Sequence, residues 1–339
     1  MYLLIFIGVI VYNIHKYHDG GVCGMRKGTV EQFVQISNEP KLQEKTIEYL
    51  AEHLGKFLKP QEKVVLAFRE HKEGNISWLM EQAALRIGVV PVIWGPDHRW
   101  NTLLRQTFQS HASAVIGSPL VILGLTKLKR QFNTPLPIRK VVAVGYPCLD
   151  WVIEGIVKGL DCEVGGCFSV DEEGIVAGFA CGHSMGVHVR EDAYGVDIVN
   201  DAGNSMAAGE LGQIVLYPKS DPTVRLRLGD LGRIAAEECP CGCKAAIVTD
   251  MQLGSNVDPD LYELAQYLHK WTSILDCYLA KSDFGLEVEI VCFPGEKLPA
   301  LPSAAKLMIK YYNPKTDEPT WFYPDRLDAG FFRNFHKND

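Results

Sequence analysis

Two hydrophobic periods alternate along the first half of the chain. Between Glu39 and Leu58, the apolar residues Leu42, Ile47, Leu50, Leu54, Phe57 and Leu58 recur at the spacing of one helix face, and Pro60 closes the segment. Lys63 to Phe68 reads KVVLAF, an aliphatic strand. The alternation continues with a helix at 76–87, a strand at 89–94, a helix at 100–108, a strand at 112–116 and a helix at 120–129. A strand at 140–144, a helix at 149–158 and a strand at 163–168 complete it. Short aliphatic strands separated by amphipathic helices predict a mostly parallel sheet covered on both faces. Trp78, Trp94, Trp100 and Phe108 lie on these elements and are expected in the core.

After Gly174 the texture changes to short strands broken by Gly-Asp, Asn and Pro turns, which predicts an antiparallel sheet or a small distorted barrel. Beyond a boundary near Thr249 to Gly254, a helix at 259–269 and strands at 273–280 and 286–292 predict a small α+β domain. The chain is thus α/β, with residues 1–248 as a large N-terminal part (1–170 α/β, 171–248 β-rich) and residues 249–339 as a small C-terminal domain. Its tail after Asn313, rich in proline and aromatics, carries no assignable period.

The length of 339 residues agrees with two units. A 47% hydrophobic and 22% charged composition with a net charge of -7 describes a globular protein and argues against a nucleic-acid surface, which needs clustered Lys and Arg. The ten cysteines are irregularly spaced and read as thiols in a reducing cytoplasm. Met1 to Tyr12 is apolar over 12 residues, short of the ~20 of a membrane helix. It also lacks the basic start and cleavage site of a signal peptide, so a buried strand or helix, or the remnant of a shortened N-terminus, and no membrane span are expected.

The chemistry concentrates between Gly209 and Cys243. Gly229-Asp230 follows a basic, aliphatic run, which predicts a carboxylate on a turn at a strand end, able to accept two hydroxyl hydrogen bonds such as those of a ribose. The dipeptide alone equally describes a plain turn. Cys239-Pro-Cys241-Gly is a compact turn that can converge two thiolates on a metal, or hold two ordinary buried thiols. Upstream stand Val141-Val-Ala-Val-Gly145-Tyr146-Pro147, Phe168-Ser-Val-Asp-Glu172 and Gly186-Val-His188-Val-Arg-Glu191-Asp192. Downstream stand Asp250-Met251 and Gly254-Ser-Asn256-Val257-Asp-Pro259.

This ordered set resembles the adenylate-forming ligases, specifically the phenylacetate-coenzyme A ligase branch, over roughly three quarters of the chain. That family joins an acid to ATP and passes the acyl group to coenzyme A. The resemblance implies a phosphate loop at Gly24 to Thr29, with Lys27 and Thr29 as its polar members. It implies a magnesium-associated carboxylate at Glu172, an adenine wall at Gly145, Tyr146 and Pro147, a ribose carboxylate at Asp230 and a ribose or phosphate contact at Arg233. It further implies a structural zinc held by Cys181, His188, Cys239 and Cys241, with His183 and Cys243 as spare ligands.

Three positions depart from the family. The phosphate loop has lost its hydroxyl-rich character, Tyr146 stands where an acidic residue is expected, and no lysine is clearly placed to serve the adenylation step. Lys306 and Lys310 are the nearest candidates and read as a solvated helix edge. These departures favour a degenerate member that binds AMP, an acyl-adenylate or a protein partner without full adenylation chemistry. The alternative is an active AMP-forming acyl-CoA ligase acting on an aryl or hydrophobic acid, with ATP, Mg2+ and CoA and a swinging C-terminal domain. Partners are then a small-molecule nucleotide or acyl ligand, with a homodimer left open.

Overall fold

The computed structural model describes residues 29–95, 97–145, 150–170, 174–181, 186–252, 259–282, 285–301 and 306–319. Lys27, Tyr146, Pro147, Glu172 and His183 lie outside the described residues, as does the apolar N-terminal run.

Helices α1 (Thr29–Ser37) and α2 (Pro40–Phe57) lead into strand β1 (Lys63–Ala67), then α3 (Ile76–Arg86), β2 (Val90–Ile93), α4 (Trp100–Ser110), β3 (Ala114–Gly117), α5 (Pro119–Gln131), β4 (Lys140–Val144), α6 (Asp150–Leu160) and β5 (Glu163–Val170). The boundaries follow local chemistry. Pro40 and Pro119 open their helices, where a missing N–H costs nothing. The Asn75 side chain accepts from the Trp78 amide at 3.0 Å and caps α3. His111 ends α4 in the left-handed region at φ +54°.

Strands β1 to β5 pair in parallel in the order β2-β1-β3-β4-β5. Because side chains alternate across a strand, β1 sends Val65 and Ala67 to one core and Val64 and Leu66 to another. The first core gathers Trp100 and Leu103 of α4, Ile122 and Leu125 of α5, and Val152 and Ile156 of α6. The second gathers Leu50 and Leu54 of α2 with Leu79 and Met80 of α3. Trp94 and Trp100 are buried as expected, whereas Phe108 is exposed.

Strands β6 (Ile175–Ala180), β7 (Val187–Val189), β8 (Tyr194–Val199), β9 (Gly212–Pro218), β10 (Leu226–Ile234) and β11 (Ile247–Gln252) extend the same sheet. They pair antiparallel in the order β5-β6-β7-β11-β10-β9-β8, giving eleven strands in all. The expected switch from a parallel to an antiparallel texture therefore occurs within one continuous sheet. The chain leaves that sheet only after Gln252.

Helix α7 (Pro259–Lys270) and strands β12 (Ile274–Ser282), β13 (Gly285–Cys292) and β14 (Lys306–Tyr311) form a small unit with its own core around Leu261, Leu268, Leu279 and Ile290. The residues 306–311, expected as a helix edge, are instead a strand parallel to β13. Lys306 pairs with Glu287 at 3.4 Å and Lys310 with Glu289. Cross-strand partners of opposite charge are what an exposed edge strand offers these lysines.

This small unit is not free-standing. Leu275, Val291, Phe293 and Tyr312 complete the first core of the large sheet, packing against the outer side of the α5 and α6 layer. Phe132 meets Phe293 edge-on at 6.3 Å and Tyr312 at 6.0 Å, and Trp151 stacks on His269 at 5.7 Å. Backbone joins the seam as well, through Trp100 N–H to the Asp317 carbonyl at 3.1 Å. Among the described residues no helix is long and apolar enough to cross a membrane.

Candidate functional site

The four residues of the expected clip come together. Cys181 follows β6, His188 is the centre of β7, and Cys239 and Cys241 occupy the turn between β10 and β11. Pairing does the assembly: β7 lies between β6 and β11, with His188 opposite Phe179 on one side and Ile247 on the other. One donor atom from each residue lies within 4.8 Å of the other three. Cys181 Sγ is 3.5 Å from Cys239 Sγ, and Cys241 Sγ is 3.3 Å from His188 Nε2. A tetrahedral centre with S at about 2.3 Å and N at about 2.0 Å has edges of roughly 3.5 to 3.8 Å, so the donor set fits zinc.

Surroundings fix this arrangement. His188 and Cys239 are buried, and His188 Nδ1 has no hydrogen-bond partner among the described residues. The Cys243 amide donates to Cys241 Sγ at 3.4 Å, so this exposed spare cysteine serves through its backbone. That amide pulls the Cys241 thiol down, yet desolvation and then the neighbouring Cys239 and Cys181 sulfurs together hold the thiol above its ordinary range.

The paired acids of the same segment have structural partners. Glu191 accepts from the Ala246 amide at 2.9 Å, holding the cysteine turn to β7. Asp192 accepts from the fully buried Arg190 at 3.2 Å, while Arg190 also donates to Thr46 Oγ1 at 2.6 Å and lies 5.2 Å over the Tyr49 ring. Arg190 thereby ties α2 to the clip strand.

Gly178 of β6 faces Val189, and a Cβ there would collide with the His188 carbonyl oxygen. Gly178→Ala is expected to push β7 away and destabilise the chain by about 2 kcal/mol, as other overpacking changes do. A urea titration compared with the parent checks it.

The residues expected to meet a nucleotide are less concentrated. Gly229 and Asp230 do not form a turn at a strand end. They sit inside β10, where the register against β9 slips between Arg227 and Leu231. Gly229 at φ +83° makes this bulge without strain, and Asp230 beside it is half-buried. Arg233 lies on the same strand but pairs with Asp250 at 2.9 Å and donates to the Gly209 carbonyl at 3.1 Å. Gly145 ends β4, five ladder steps from β10 in the strand order. Thr29 is the first residue of α1.

Two groups escaped the sequence reading. After β1, where β2 and β3 diverge, His71 bridges Ser77 Oγ at 3.0 Å and Glu81 Oε2 at 3.3 Å. The carboxyl ends of strands at such a switch point form a crevice, a placement that topology alone suggests. Gly174, two positions after Glu172 in the sequence, packs so closely that an added Cβ would strike the Gly74 carbonyl oxygen of the same region.

The other group is Lys127, buried on α5, whose Nζ donates to the Ile274 carbonyl at 2.7 Å. Burial lowers its pKa to about 8, against the pull of Cys277 and Asp276. Burial, with Lys127 beside it, also holds His269 well below its ordinary value and therefore neutral, 3.4 Å from Cys277 Sγ. A lysine on the apolar face of the helix at 120–129 was the available signal.

No family model and no curated protein matches the sequence. Solved structures do match in fold. A 2-hydroxyisobutyryl-CoA ligase in the postadenylation state with R3-HIB-AMP superposes with a TM-score of 0.60 at 15% identity, over 82% of this chain and 68% of that one. The anthranilate CoA ligase AuaEII in complex with anthranoyl-AMP gives 0.51 at 14% identity, over 79% and 60%. A benzoate CoA ligase from Burkholderia xenovorans LB400 gives 0.50 at 12% identity, over 81% and 64%, so the chain spans about two thirds of the length of each. At these identities the likeness is one of fold: the eleven-stranded sheet with its small appended sheet is the fold of these acyl-CoA ligases.

Proposed function

We propose that this chain is a degenerate relative of the phenylacetate-CoA ligase branch that binds AMP or an acyl-adenylate through Asp230 without carrying out adenylation. The observation that carries this reading is the seam between the small unit and α5. Adenylation followed by thioester formation needs the C-terminal domain to change partners, and here that unit shares a buried core and the Lys127 contact with the large sheet. Its two nearest candidate lysines, Lys306 and Lys310, are held in pairs with glutamates on β13. Arg233, engaged with Asp250, adds no free charge for phosphate.

Within this reading the Cys181, His188, Cys239 and Cys241 set holds a structural zinc. All four coordination positions are taken by protein, which leaves none for substrate. The metal would pin β7 to the end of the β10–β11 turn and leave the reaction chemistry to other residues.

Calorimetric titration of zinc-replete protein with ATP and AMP, followed by a pyrophosphate-release assay with aryl and fatty acids, tests the function. Saturable AMP binding without acid-dependent pyrophosphate release supports the proposal. Release would instead establish the active ligase, the reading favoured by the shared fold with ligases solved with acyl-AMP. Asp230→Ala is expected to weaken AMP binding by about 1.5 to 3 kcal/mol, about tenfold or more, because a charged acceptor for two hydroxyls is lost.

A further inference from the structure

A cleft of about 900 Å³ opens along the seam between α5, α6 and α7, in the size range of small-molecule sites. Its charge is opposite to that of the chain. Five cations line it (Lys127, Lys129, Arg130, Lys158 and Lys270) against the single carboxylate Glu154, in a protein of net charge -7. Three of the five are structurally engaged: Lys127 with the Ile274 carbonyl, Lys129 with the Gly159 carbonyl at 2.9 Å, and Arg130 with Thr272 Oγ1. Lys158 and Lys270 are exposed and have no partner among the described residues.

The remainder of the lining is mixed, with Asn133 and His269 beside apolar and hydroxyl groups. Leu123, Trp151 and Pro135 supply apolar surface, and Thr126, Thr134 and Thr272 supply hydroxyls. Trp151 is 8% exposed, stacks on the neutral His269, and carries an indole N–H with no hydrogen-bond partner among the described residues. Buried Trp N–H groups usually find an acceptor, so this one is an independent sign of an incomplete site.

We propose that this cleft binds a small soluble anion consisting of a phosphate head and a flat apolar body, the head between Lys158 and Lys270 and the body against Leu123 and Trp151. Lysine ammonium groups suit phosphate as point charges, and the Thr134 hydroxyl of the same lining adds acceptor and donor capacity. None of these residues belongs to the positions assigned to a nucleotide, so the inference stands apart from the proposed function. Because Lys158 lies on α6 and Lys270 ends α7, a bound ligand would also clasp the small unit to the large one.

Calorimetric titration of the full chain with inorganic phosphate, phenyl phosphate and 1-naphthyl phosphate tests this. Saturable binding that tightens with the size of the apolar body is expected, with affinity falling as salt rises. The double variant Lys158→Glu with Lys270→Glu, on two exposed side chains, is expected to bind about tenfold more weakly while melting as the parent does. Should that variant melt early, Lys158→Gln alone is expected to weaken binding about threefold. Equal affinity in parent and variants, or no saturable binding of any of the three probes, would overturn the proposal. Lysine-dependent capture by vesicles containing phosphatidic acid would also overturn it, by assigning the cleft to a lipid headgroup.

Discussion

Purified protein is expected to carry one zinc ion per chain, and Cys239→Ser to lose it together with on the order of 3 to 5 kcal/mol of stability, the range of changes that remove a structural metal. The expectation rests on geometry. Cys181 belongs to the end of β6, His188 to β7, and Cys239 and Cys241 to the β10–β11 turn, so the metal would be the covalent centre of three strand connections. Cys239 is the most buried of its three cysteines, and a serine hydroxyl in its place would be both a poor zinc ligand and a desolvated polar group. Elemental analysis gives the stoichiometry and urea unfolding gives the stability. A metal-free parent as stable as a zinc-loaded one would remove the clip from the architecture, leaving four neighbouring thiol and imidazole groups with only packing roles.

Lys127 sets the second large effect. Its pKa falls from 10.5 to about 8 in the folded chain because burial penalises the ammonium form. Between those two values the unfolded chain holds a proton that the folded chain has released. Stability therefore rises with pH across the window from about 8 to 10.5, by about 3 kcal/mol at roughly 1.4 kcal/mol per pH unit. The thiols and tyrosines whose pKa values burial raises act in the opposite sense. Tyr49, whose shift does not involve the lysine, is common to the parent and to Lys127→Met, while Cys277 and His269 feel Lys127 directly, so the comparison reports the lysine together with these two neighbours. Urea midpoints of the two proteins measured at pH 7, 8, 9 and 10.5 should show the parent gaining on the variant only above pH 8. Parallel curves would mean that Lys127 is solvated, that the seam opens in solution, and that the small unit is free to move as an active ligase requires.

The fold was legible because burial imposes periods. Ile47, Leu50 and Leu54 had to recur at helical spacing to reach one core, and Val64 to Ala67 of β1 had to be apolar without a break because both faces are covered there. Residues 306–311 had no such signature. Every position of β14 is exposed, so no face had to be apolar and no period formed. The Cys239-Pro-Cys241 turn was legible for a local reason, since backbone chemistry alone brings its two sulfurs close. Its two distant partners could be named only through resemblance, because β7 meets the turn through strand pairing that no local pattern encodes. For Lys127 the apolar helix face was the one local signal, and its contact was hidden on the same grounds. Its partner Ile274 is 147 positions away, and only the packed structure shows that the ammonium is sealed under a second layer. Asp230, expected on a turn at a strand end, stands in a bulge inside β10. A Gly-Asp step signals positive φ equally well in a turn and in a bulge, and only the register on both sides of β10 distinguishes them.

The shared core at α5 also dictates an order of events during synthesis. Leu123, Ile122 and Trp151 emerge from the ribosome long before Leu275, Val291, Phe293 and Tyr312, which are the residues that cover them. Until those later residues arrive, the nascent sheet has an open apolar flank, and contacts so distant in sequence are slow to form. The first half of this chain cannot complete its interior alone, and during that interval the exposed flank is where a chaperone would have to stand guard.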